Sequence, residues 1–199
     1  MAVGRVCTGY SCPYVAKYVN SSGTISYSDG MRLARGVSVN ISIEVSGKNV
    51  FRADNQDAEN EGSRFVSGEA TFVVDGLKNA AEQMITGVSA PTSPDTWMKY
   101  GDDAEPPYVA VGFIARYMSD GVTTYEPTIL RKSRFNIPEE SHETQDGEEI
   151  NWQTQTLVAE LFRDDSSSHD WKWKGVEEAT EAAAEAKIKT ALGITTSGG

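Results

Sequence analysis

Residues 37–45 read Val37-Ser38-Val39-Asn40-Ile41-Ser42-Ile43-Glu44-Val45. Every odd position is apolar and β-branched, and every even position is polar. Strand side chains alternate between two faces, so this stretch predicts a half-buried strand with one face on a core and one on solvent. Working outward, residues 109–117 (VAVGFIARY) predict a second, more buried strand. Asp120-Gly121 and then Val122-Thr123-Thr124-Tyr125 follow it. Asp-Gly between two such runs predicts a tight hairpin, because the turn needs positive φ. Ser22-Gly23, between Tyr18-Val19 and Thr24-Ile25-Ser26-Tyr27, predicts another. Phe65-Val66 with 70–74, residues 152–162, and 129–135 supply further strands, the last with a bulge or an edge at Pro127. Helix is scarce. A short one is expected over 77–85, stopped by Gly87, and a second over 176–192. Glu177 and Glu178 in the first turn of the second, and Lys187 and Lys189 near its end, suit the helix dipole; Glu185 and Lys189 stand one turn apart.

The chain has 199 residues, with 18 Lys+Arg against 29 Asp+Glu and a formal net charge of -11. That balance excludes a protein that grips nucleic acid by its phosphates, which requires clustered cations. Hydrophobic residues at 39% are enough for a core, which excludes wholesale disorder. No run of 18 apolar residues exists, so no membrane partner is expected. Residues 1–13 lack an apolar signal core, so synthesis in a reducing cytoplasm is expected. The expected organisation is an N-terminal arm (1–13), one domain (14–192) and a Gly/Ser tail (193–199). Two acidic stretches interrupt the strands: 54–61 (DNQDAENE) and 139–149 (EESHETQDGEE), the second with six carboxylates and no Lys or Arg.

Catalytic chemistry finds little purchase. His142 and His169 lie in acidic, polar segments, and no Gly-x-Ser-x-Gly elbow accompanies them. Cys7 and Cys12 have no second metal-ligand pair to complete a zinc set. The acid runs lack the EF-hand spacing, and neither a P-loop nor Gly-x-Gly-x-x-Gly occurs. No enzyme, metal or cofactor is therefore expected. Trp171-Lys172-Trp173-Lys174 alternates aromatic and basic residues, a pattern that can stack bases. Asp164, Asp165 and Asp170 beside it would repel a phosphate chain, which favours a strand end packing its tryptophans under the C-terminal helix.

Five stretches, in order and spacing, resemble the major tail proteins (tail tube proteins) of long non-contractile-tailed bacteriophages. They are 31–42 (MRLARGVSVNIS), 50–55 (VFRADN) with 65–71 (FVSGEAT), 74–77 (VDGL), 104–113 (AEPPYVAVGF) and 147–154 (GEEINWQT). Residues 1–13 and the length of the 90–100 loop depart from the family pattern. The resemblance implies a mainly-β fold, a β-sandwich or barrel of the tail tube type, with a short internal helix and a flanking C-terminal helix. It implies homohexameric rings that stack into a hollow tube in the virion tail. The implied partners are further copies of the chain, a tape measure protein, tail terminator and tail tip proteins, and phage DNA passing through without specific binding.

Within that frame, the even face of the decisive strand (Ser38, Asn40, Ser42, Glu44) is the candidate lumen wall. It is polar, with one carboxylate and no cation, and an anionic wall leaves a polyanion free to slide. The candidate ring-stacking residues are Arg52, Asp54, Asp57, Glu59 and Glu61 in the 46–63 segment, with Glu139, Glu140, Glu143 and Glu148 in the 139–149 segment. Their excess of acid calls for a cationic counter-surface, for which Arg131, Lys132 and Arg134 are the candidates. The alternative reading is a virion decoration or immunoglobulin-like binding module; a carboxylate-based hydrolase is disfavoured, because paired catalytic carboxylates sit in clefts at fixed separation.

Overall fold

The computed structural model describes residues 4–47, 49–53, 56–145, 147, 150 and 152–194, with the backbone alone described over 49–53 and 56–61. Along the chain lie β1 (Val6–Ser21), β2 (Thr24–Arg32), β3 (Gly36–Val45), β4 (Asn49–Ala53), β5 (Gln56–Glu61), β6 (Phe65–Val74), α1 (Asn79–Thr86), β7 (Val109–Ser119), β8 (Val122–Phe135), β9 (Gln155–Phe162), β10 (Lys172–Lys174) and α2 (Glu181–Ala191). The fold is mainly β, with a short internal helix and a C-terminal helix.

Both hairpin dipeptides turn the chain. Ser22 and Gly23 take φ of 52° and 86° between β1 and β2, and Asp120 and Gly121 take 49° and 78° between β7 and β8. Antiparallel pairing then builds one large sheet in the order β2-β1-β7-β8-β9-β6-β3, with β10 added beside β8 and β4-β5 forming a separate two-stranded ribbon. β8 joins the two halves. Its first part pairs with β7 and β10, and its last residues pair with β9. The β7 register passes from Val111↔Leu130 to Val109↔Ser133 at a bulge between the two regimes. The sheet curls until β1 approaches β3, and the Leu33 amide donates to the Pro13 carbonyl at 2.9 Å, one step beyond the Tyr14↔Arg32 pair of β1 and β2.

Curling encloses a first core of Phe72, Phe113, Phe135, Leu130, Leu157 and Leu161, closed by Met84 and Ile85 of α1. A second core lies between the sheet and α2, where Tyr14, Ala16, Ala110, Ile114 and Ile129 meet Ala184, Ile188 and Leu192. Strand β7 is therefore covered on both faces, which explains why 109–114 reads as an unbroken apolar run. The predicted stop of α1 is present: Gly87 takes φ of 75° and donates its amide to the Gln83 carbonyl.

Several expectations need correcting. The second helix starts five residues later than its sequence suggests. Glu178 exchanges backbone hydrogen bonds with Tyr125 of β8 in an isolated bridge, so Glu177 and Glu178 are extended, and Thr180 is the cap. Within the acidic stretch, Gln56–Glu61 is not a loop but the strand β5, paired with β4. Pro127 lies inside β8 rather than before a strand. Of the two tryptophans in β10 and just before it, Trp171 stacks on Phe65 at 4.5 Å, away from α2, and Trp173 borders α2.

Candidate functional site

The decisive strand occupies a sheet edge. β3 pairs with β6 on one side, and its other side carries no strand among the described residues. Its odd face is only partly covered. Val39 and Ile41 pack on the first core, whereas Val37 (56%), Ile43 (45%) and Val45 (52%) remain exposed, because β3 outruns the core at both ends. The even face is open to solvent along its length: Ser38, Asn40, Ser42 and Glu44 are all exposed.

The register widens this polar face beyond the residues that the sequence singled out. Ser38, Asn40, Ser42 and Glu44 stand opposite Val73, Thr71, Glu69 and Ser67 of β6. Those in turn stand beside Thr156, Val158 and Glu160 of β9. Ser67 donates its hydroxyl to Glu44 at 2.9 Å. Glu69 and Glu160 are direct cross-strand partners. Opposed like charges destabilise a strand pair, yet the outward positions of these three strands carry three carboxylates and no cation. The alternation of Ser67, Glu69 and Thr71 was a readable signal for the β6 contribution; the facing of Glu160 depends on long-range register.

The acidic stacking candidates are not gathered in one place. Arg52, Asp57, Glu59 and Glu61 fall on the β4-β5 ribbon, which leaves the Val45/Phe65 end of the β3-β6 pair. Glu139, Glu140 and Glu143 are exposed on the segment from β8 to β9, which returns at Gln155 opposite Val74, the other end of β6. Glu139 and Glu140 border an open cleft of about 620 Å³ with Asp75, Glu82 and His142. Asp54 and Glu148 lie outside the described residues.

The cationic counter-surface does not form as a patch. Arg131 is 4% exposed, with Nε 2.8 Å and Nη2 2.5 Å from Asp164 Oδ2, and the Trp173 ring covers the guanidinium at 3.5 Å. Lys132 is held by both carboxylate oxygens of Asp165 at 2.8 and 2.9 Å. Asp165 also accepts from the Tyr18 hydroxyl at 2.9 Å, and burial beside that carboxylate pushes Tyr18 up to about 12. Arg134 faces Glu160 in the register, but its guanidinium lies over Tyr108 at 4.2 Å and 3.7 Å from Glu105. The physical reason is burial beside a carboxylate of the same subunit for Arg131 and Lys132, whose side chains are only 5% and 13% exposed, whereas Arg134 is drawn aside onto Tyr108. The chain matches no protein-family model and no curated protein.

Proposed function

We propose that the chain is a structural virion subunit, a tail tube protein whose rings stack into a conduit for phage DNA. The observation that carries this reading is the outward face of β3, β6 and β9, which bears Glu44, Glu69 and Glu160 and no Lys or Arg of its own, the first cation in register being Arg134 of β8 beside Glu160, on a sheet that ends in an open edge. The Glu69–Glu160 opposition works against the stability of the sheet, and a conduit is a use that compensates for it. A polyanion with one charge per ~1.7 Å of axis is repelled by such a wall and stays free to slide. The open edge of β3 fits the same purpose. An unpaired strand templates association in a lone molecule, and closure into a ring removes the hazard. The β4-β5 ribbon and the β8–β9 segment leave opposite ends of β6, one toward each adjacent ring. Tape measure, terminator and tip proteins are the further partners of this reading, and its setting is the virion tail after synthesis in the bacterial cytoplasm.

Electron microscopy at rising protein concentration tests it. Rings and then tubes are expected. Sedimented wild-type tubes leave duplex DNA in solution, and tubes of the triple variant Glu44→Lys/Glu69→Lys/Glu160→Lys carry it down. Protein that stays monomeric throughout, or wild-type tubes that retain DNA, overturns the reading.

A further inference from the structure

The segment between α1 and β7, residues 88–108, has no regular secondary structure, yet it is tied down. Its base is closed: a Cβ on Gly87 would stand 2.1 Å from the Glu105 carbonyl oxygen. The long loop thus leaves and returns at one point of the fold. Two ties fix its interior to α1, from the Tyr100 hydroxyl to the Glu82 carboxylate and from Gln83 Nε2 to Met98 Sδ at 3.4 Å. Asp95 pairs with Lys99 and accepts the Trp97 amide at 3.2 Å. Between these anchors Trp97 is 76% exposed. An indole held toward water by an anchored loop loses little freedom on binding, and tryptophan is among the residues that most often dominate interface energy.

A receptor of matching chemistry lies elsewhere on the chain. β8, β10 and α2 frame an apolar groove of about 340 Å³, floored by Pro127, Ile129, Ile188 and Ala191 and walled by Trp173. The charged side chains lining it are Lys174 and Lys187, in a chain of net charge -11. Lys174 leans on Glu126 at 2.6 Å and Lys187 on Glu178. An ammonium has three protons to donate, so each lysine keeps capacity for another acceptor. The 88–108 loop carries such acceptors in Asp102 and Asp103, both exposed.

We propose that Trp97 of one copy inserts into the α2–β10 groove of a second copy, with Asp102 and Asp103 set against Lys174 and Lys187. This rests on the reading of the chain as a self-assembling subunit. Loop and groove are different surfaces, so the contact is head-to-tail and each copy both gives and receives.

Partners with one exposed cysteine each test the contact in a Cys7→Ser background, which removes the exposed native thiol and leaves only the buried Cys12. Trp97→Cys protein is mixed with Ala191→Cys protein and oxidised, and a covalent heterodimer is expected on a non-reducing gel. The pair Trp152→Cys with Ala191→Cys probes the other highly exposed tryptophan as occupant and is expected to stay unlinked. In parallel, Trp97→Ala raises the protein concentration needed for half-assembly about thirtyfold, the scale of a hot-spot truncation. Assembly without the Trp97 link, or a link through Trp152 in its place, overturns this contact and leaves the subunit reading standing. Protein that is monomeric by sedimentation at every concentration overturns both.

Discussion

Arg131 shows how a charge leaves the surface. In the sequence it stands in the run Arg131-Lys132-Ser133-Arg134, which reads as a basic patch. Its partner, Asp164, is 33 residues away, so nothing local announces the burial. Burial alone would raise the carboxyl pKa of Asp164. Hydrogen bonds from Ser166 and Arg131 outweigh that effect and hold it below the ordinary carboxylate range. A depressed folded value means that the stabilisation is present above the unfolded pKa of ~3.9 and is lost as pH falls through the folded value. Asp164→Asn leaves a buried guanidinium without its counter-charge. It is expected to cost about 3–5 kcal/mol at neutral pH. The difference from wild type should shrink as the solution is acidified below about pH 4. Urea unfolding at neutral and acidic pH measures both quantities; a difference that ignores pH would show that the pair is not ionic.

Among the elements, the strands were the legible part. Alternation and turn dipeptides are local signals, and β3, β7 and both hairpins follow them. What defeated local reading was pairing between distant segments. Glu178 spends its backbone groups on Tyr125, so α2 begins late despite a helix-like composition. The run Gln56–Glu61 is rich in charge, yet it pairs as a strand. The widened anionic face was hidden for the same reason, since only the β6–β9 register sets Glu160 opposite Glu69. Helix α2 is rich in alanine and docks by fit more than by apolar mass. It presses on a glycine: a Cβ at Gly112 would stand 2.5 Å from Ile188 Cγ2 and 3.2 Å from Leu192 Cδ1. Both side chains are fully buried, so they cannot swing clear. Gly112→Val is therefore expected to lift α2 from the sheet. Trypsin should cut at Lys187 and Lys189 faster than in wild type, while the β signal in circular dichroism persists. Unchanged cleavage would mean that the helix accommodates the branch in place.

At the scale of the whole molecule, net charge decides how association responds to salt. Each copy carries -11, whereas the Asp102 and Asp103 contacts with lysines are few and partly solvated, worth at most about 1 kcal/mol each. General repulsion is the larger effect. The screening length falls from about 30 Å at ~0.01 M salt to about 10 Å at ~0.1 M. The assembled fraction at fixed protein concentration should therefore rise over that range, as light scattering would record. Dissolution by salt would show that local ion pairs dominate instead. The division of the apolar interior has an effect of another kind. β1, β7 and β8 each send alternate side chains into both cores: Val15 against Tyr14 and Ala16, Val111 against Ala110, and Leu130 against Ile129. Helix α2 can lift from its side, but the strands themselves cannot melt in one core and survive in the other, because both cores are sides of the same three backbones. The strands that line the helix-side layer and the enclosed layer are thus one cooperative unit.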